Sequence, residues 1–126
     1  MALTLFRVRS RERDRETDAG RFRRLRQLLG ELRAEMERER DGLRGRYEKV
    51  TADAAFSQQA LEDGAGGAVS EKIDDMTEAM IRYSERIALL EKQAGFVTGL
   101  DHQVERFFQE TGSASGSVSA AREAVA

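Results

Sequence analysis

Four groups of residues carry types and spacings that chemistry could use, and each resolves into structure when its neighbours are read. His102 is the only histidine. A di-iron helical bundle needs a glutamate three residues before such a histidine, and Thr98 and Gly99 occupy the preceding turn. Glu105 follows one turn later, but one imidazole and one carboxylate make a poor metal site, and a surface histidine is the reading kept. The stretch GAGGAVSEK, beginning at Gly64, superficially resembles a phosphate-binding loop. Such a loop leaves a strand, whereas the residues before Gly64 are helical in pattern, and the acids after it would repel phosphate. Glu71, Asp74, Asp75 and Glu78 form an acidic stripe without the spacing of a calcium loop, so solvated carboxylates are expected. No serine, histidine and acid constellation can be assembled. The expectation is a protein without catalytic residues, metal or cofactor, and not an enzyme.

The fourth group is the run RVRSRERDRETDAGRFRRLR, residues 7–26. Arg7, Arg9, Arg21, Arg23, Arg24 and Arg26 are its candidate contacts for an anionic partner. Glu12, Asp14, Glu16 and Asp18 alternate with its arginines, however, and on a helix Arg11–Asp14, Glu12–Arg15 and Arg13–Glu16 would pair one turn apart. A nucleic-acid surface should present uncompensated positive charge. Only RFRRLR, residues 21–26, approaches that, and there Phe22 and Leu25 belong to an apolar stripe. A solvated helix is preferred, and Arg-driven nucleic-acid binding is the alternative function.

These residues need elements to hold them, and the composition says which. The chain has 126 residues, 40% hydrophobic and 35% charged, with 6% aromatic residues and no proline or tryptophan. One domain is expected, too poor in bulky side chains for a broad core and free of the residue that breaks helices. Absence of cysteine removes disulfides and thiolate chemistry. Eighteen of the 21 basic residues are arginine, a bias suggesting a bacterial origin. ALTLF, residues 2–6, precedes arginines instead of following them, the reverse of a signal peptide, and no apolar run is long enough to cross a bilayer. A cytoplasmic protein without a membrane span is expected, with peripheral membrane contact as a third reading.

The periodicity is helical throughout. Phe22, Leu25, Leu29, Leu32 and Met36 recur at intervals of three and four, resuming with Leu43, Tyr47, Val50 and Ala54 to about Leu61. Glu39 and Arg40 interrupt this stripe. Ile73, Met76, Met80, Tyr83, Ile87, Leu90, Ala94 and Val97 keep the alternation for over three heptads, as in a coiled-coil seam. Leu100, Val104 and Phe107 continue it after a three-residue slip, which beside Gly95 and Gly99 predicts a kink or hinge. Between the stripes, Gly64 suits a left-handed helix end and Ser70 the cap of a new helix.

The fold class is therefore all-α: a long antiparallel helical hairpin, coiled-coil-like, completed to a four-helix bundle by dimerisation. Residues 1–17 read as an N-terminal arginine-rich segment, either extended or a frayed helix, with ALTLFRV suited to strand addition on another protein. Residues 18–110 form the hairpin, turning near 63–69, and 111–126 a Gly/Ser-rich flexible tail. Residues 1–49 hold 15 basic and 10 acidic side chains, a balance of +5, and the remainder has a balance of −7. A hairpin lays these opposite charges side by side. Residues whose numbers sum to about 131 should face each other, placing Phe22 near Phe107 and Phe108, Val50 near Ile81, and Glu39 near Lys92. An isolated pair of helices leaves apolar residues uncovered, with Leu5, Phe6, Leu28, Phe56 and Phe108 off the seams. The function expected is a coiled-coil adaptor, assembly or chaperone-like protein that packs against itself or another helical protein. Its interaction stripe comprises the residues from Phe22 to Met36 and from Ile73 to Leu90 named above.

Overall fold

The computed structural model describes the backbone of residues 10–125 and the side chains of residues 10–112. Among them there are two elements, both α-helices: α1, Arg11–Glu62, and α2, Gly67–Val125, packed as an antiparallel hairpin. α1 starts at Arg11, within the segment read as extended or as a frayed helix, and Ser10 caps it. The Ser10 hydroxyl accepts from the Arg13 amide at 3.0 Å and its carbonyl from the Asp14 amide at 3.1 Å. The hydroxyl satisfies one first-turn donor that would otherwise be orphaned, the carbonyl accepts the first regular helical bond, and Glu12 and Asp14 suit the positive end of the helix.

The turn is as tight as the sequence suggests at its first half and tighter at its second. Gly64 adopts φ +101°, the conformation expected of it. The Gly64 amide donates to the Leu61 carbonyl at 3.1 Å, and the Ala65 amide reaches back to the Ala60 carbonyl at 3.0 Å. This pair of bonds is the Schellman arrangement that closes a helix. α2 then begins at Gly67, so Ser70 lies inside its first turns and does not cap it. The Val69 amide donates to the Gly66 carbonyl at 3.1 Å, starting the helix before the serine is reached.

Two compact units divide the chain, residues 32–96 and residues 1–31 with 97–126. In the first, Leu90 and Ala94 are buried, and Leu32, Met36, Leu43, Val50, Ile73, Met76, Met80, Tyr83 and Ile87 are half-buried. In the second, Leu29 and Val97 are buried and Phe22 lies against Phe107 and Phe108, with ring centroids 5.8 and 5.5 Å away. Those tilted ring pairs match the facing register expected for Phe22. α2 is helical without a break through Gly95 and Gly99. Each glycine costs about 1 kcal/mol of helix propensity, which burial of the neighbouring Leu90, Ala94 and Val97 outweighs. Residues 111–126, read as a tail, begin at the end of the described side chains, and ALTLFRV, with Leu5 and Phe6, lies outside the described residues.

Candidate interaction surface

The seam of the hairpin contains positions that an apolar count passes over. From Leu90 the covered residues of α2 run Ala94, Val97, Asp101, Val104 and Phe108, each at least half-buried. Their intervals alternate four and three without a slip. The register expected to change after Val97 does not: Asp101 holds the place where a hydrophobic residue was sought. It remains there because Arg26 of α1 grips it. The Arg26 Nε donates to Asp101 Oδ1 at 2.9 Å and a terminal nitrogen to Oδ2 at 3.2 Å, with Glu105 Oε2 at 3.5 Å. The hydrogen bond to Asp101, then the charges of Asp101 and Glu105, hold the Arg26 guanidinium above its ordinary pKa.

Phe108, placed off the seam by the apolar pattern, is thus on it, and Phe107 points outward, 54% exposed. Leu25 and Tyr47, both counted into the α1 stripe, lie at its edge and are exposed. Arg40 is a charged residue at the α1 seam, half-buried and bonded to Asp41 at 3.1 Å. Glu39 faces Arg86 and not Lys92. Arg86 donates to both Glu39 carboxylate oxygens, at 2.7 and 3.3 Å. That bond lowers the Glu39 pKa and raises that of Arg86. The preference over Lys92 has a geometric origin: the planar guanidinium offers two parallel donors, which an ammonium does not. Arg44 and Glu91 form a further pair between the helices. Thr51 donates to the Tyr47 carbonyl at 2.8 Å and lies 3.3 Å from the Met80 sulfur, in the expected facing register.

The arginines assigned to an anionic partner separate into groups. Arg26 is committed to Asp101 and Glu105, and Arg21 sits 3.5 Å from Asp18 one turn away. Arg23 and Arg24 are exposed and make no ion pair among the described residues. Arg7 and Arg9 lie outside them. Arg11, Glu12, Arg13, Arg15 and Glu16 are exposed in alternation of sign along the first turns of α1.

Open depressions mark the flanks. One, of about 440 Å³, is floored by Phe22, Phe107 and Phe108 and rimmed by Arg11, Arg15, Asp14 and Asp18. Another, of about 320 Å³, lies beside Tyr47, Met80 and Ile81. Neither brings a base to a nucleophile. His102 is exposed, and no cluster of three potential metal ligands occurs among the described residues. No described helix is long and apolar enough to cross a membrane. What the arrangement can do is pack: large apolar side chains stand outward at Leu28, Phe56, Ile81, Leu89, Phe96 and Phe107. Ile81, expected to face Val50, is 53% exposed, and Leu89 and Phe96 escape a reading of the sequence because the strongest stripe hides weaker positions on the same helix. Neither a protein-family model, nor a curated protein, nor a solved structure matches this chain.

Proposed function

We propose that this chain is a non-enzymatic coiled-coil assembly or adaptor protein, acting by helix–helix packing with itself or a protein partner. The surface it leaves uncovered carries this reading. Among the described residues, large apolar side chains stand outward at Leu28, Phe56, Ile81, Leu89, Phe96 and Phe107, and exposed apolar surface of this kind marks contact with another protein. Only four apolar side chains are buried among the described residues, Leu29, Leu90, Ala94 and Val97. A second layer of helices would complete what the hairpin begins, as in a four-helix bundle. Nucleic-acid binding loses support from the commitment of Arg26 and Arg21 to carboxylates.

Affinity capture of the intact protein from its native cell, followed by mass spectrometry and nucleic-acid staining, tests the proposal. Recovery of a stoichiometric protein, or of a self-assembled oligomer, is expected. Retained nucleic acid without protein would overturn it.

A further inference from the structure

The unit formed by residues 1–31 and 97–126 gathers aromatic side chains that its two helices do not cover. Three of the chain's six phenylalanines meet there, with the Phe22 ring centre 5.8 Å from that of Phe107 and 5.5 Å from that of Phe108. Phe107 is 54% exposed, and Phe22 and Phe108 are half-buried. Together they floor the depression of about 440 Å³, rimmed on one side by the first turns of α1 from Arg11 to Asp18. That is room for more than one large side chain on an apolar floor, inside one compact unit. Exposed rings grouped in this way mark a surface that something covers.

We propose that the chain's own N-terminal segment covers this floor, with Phe6 seated on the three rings and Leu5 beside it. The length of chain before α1 sets the reach. Phe6 stands four residues before Ser10, where α1 is capped. Four extended residues span at most about 14 Å. At about 1.5 Å per residue, the same distance along α1 from Ser10 is the level of Ala19, between Asp18 and Phe22. The ring of Phe6 covers the remaining step to Phe22. A segment turned back at the cap thus ends its reach over the aromatic floor, and the rim of the depression follows it along the way.

The rest of the chain offers no occupant of this kind. α2 passes the depression at Thr111 and Gly112 and continues as helix to Val125, so its last residues do not turn back over the rings. The turn between the helices carries no large apolar side chain, whereas ALTLF, residues 2–6, carries three. Tethering favours the chain's own segment over that of a second copy. A short link holds it at an effective concentration on the order of mM, so a contact too small to hold a separate protein suffices within one chain. Arg7 and Arg9 fall between anchor and cap, beside a rim that carries Asp14 and Asp18 but also Arg11 and Arg15, so charge neither drives nor opposes the docking. This reading stands apart from assembly: the segment completes its own unit, and the arginines after Phe6 serve as its tether.

Absence of tryptophan makes the contact directly measurable in the full chain. In Phe6→Trp, docking predicts blue-shifted emission and weaker acrylamide quenching than in an isolated peptide of residues 1–10 with the same change, both unaltered by about 100-fold dilution. Peptide-like emission would overturn the proposal. Shielding that is lost on dilution would assign the floor to another copy's segment and overturn it too. The protein without that probe gives a second reading. Trypsin, followed by mass spectrometry, should cut after Arg7 and Arg9 about tenfold faster in Phe6→Gln and in Phe107→Gln than in the wild type, because an amide buried without a partner weakens the docked state. Phe107→Gln should keep the helical circular dichroism of the wild type, since Phe107 is outward. Phe6→Gln alters only the segment, so it decides the matter even where Phe107→Gln disturbs the helix. Equal cutting of Phe6→Gln and the wild type would overturn the proposal. So would faster cutting in Phe6→Gln with none in a normally helical Phe107→Gln, which would place the segment elsewhere.

Discussion

Leu90 is the residue on which the packing argument can be measured. It is 2% exposed and the only large side chain fully buried among the described residues, while Phe56 on α1 is 78% exposed. Leu90→Ala removes three carbon groups from the seam, a transfer loss of about 2.4 kcal/mol at ~0.8 kcal/mol each. A rigid core would add a cavity term and carry the cost toward ~5 kcal/mol. Here the flanking stripe residues Tyr83 and Ile87 are only half-buried, so they can settle into the gap, and a cost of about 2–3 kcal/mol is expected. Phe56→Ala removes a larger side chain but little covered area, and should cost less than about 0.5 kcal/mol. Urea unfolding followed by helical circular dichroism reads both, at one protein concentration because association shifts stability. With a slope of about 1.5 kcal/mol/M, the Leu90→Ala midpoint should fall by ~1.3–2 M and the Phe56→Ala midpoint by less than ~0.4 M. Equal losses from the two variants would refute the reasoning, since the seam would then be no more important than the outer surface.

Other outcomes follow from the caps and ion pairs. Gly64→Ala places a Cβ at φ +101° and should destabilise the hairpin by about 1–2 kcal/mol in the same assay, although the site has open space around it. Glu39 has a lowered folded pKa through the Arg86 hydrogen bond, so its contribution is complete above the ordinary carboxylate range and is lost as pH falls through it. An acid titration of stability should therefore show a smaller fall between pH ~5 and ~3 in Glu39→Gln than in the wild type; identical curves would dismiss the pair. Oligonucleotide titration at physiological salt should give no affinity tighter than micromolar and no sequence preference. Sub-micromolar, sequence-dependent binding that Arg23→Ala with Arg24→Ala abolishes would restore the arginines to function.

The element types, the hairpin and its turn are legible because each rests on strong local physics. Without proline, two apolar periodicities of about 3.5 can only be helices, and Gly64 marks the one place where a left-handed residue is wanted. The Phe22 cluster also follows from counting inward from that turn. What escapes is the placement of charge. Asp101 and Arg40 occupy seam positions, so a reading that accepts only apolar residues there invents a slip after Val97 and moves Phe107 inward. A helix position is selected by geometry, and a carboxylate held by Arg26 satisfies the geometry as leucine would. The outward Leu89 and Phe96 are illegible for the same reason, since beside a stripe read as purely apolar they look isolated.

With charge on the seam, the ion pairs acquire a different purpose. Exposed pairs such as Arg26–Asp101 and Arg86–Glu39 contribute little net stability. Apolar stripes alone, however, repeat about every seven residues and tolerate sliding by a heptad with most contacts restored. Charged pairs do not repeat in this way. A slide of α2 by one heptad in either direction would bring Ala94 or Phe108 opposite Arg26 in place of Asp101. The same slide would leave Glu39 opposite Gln93 or Ala79 in place of Arg86. Each loses its partner at once. The ion pairs thus select one alignment among several that the apolar stripe would accept.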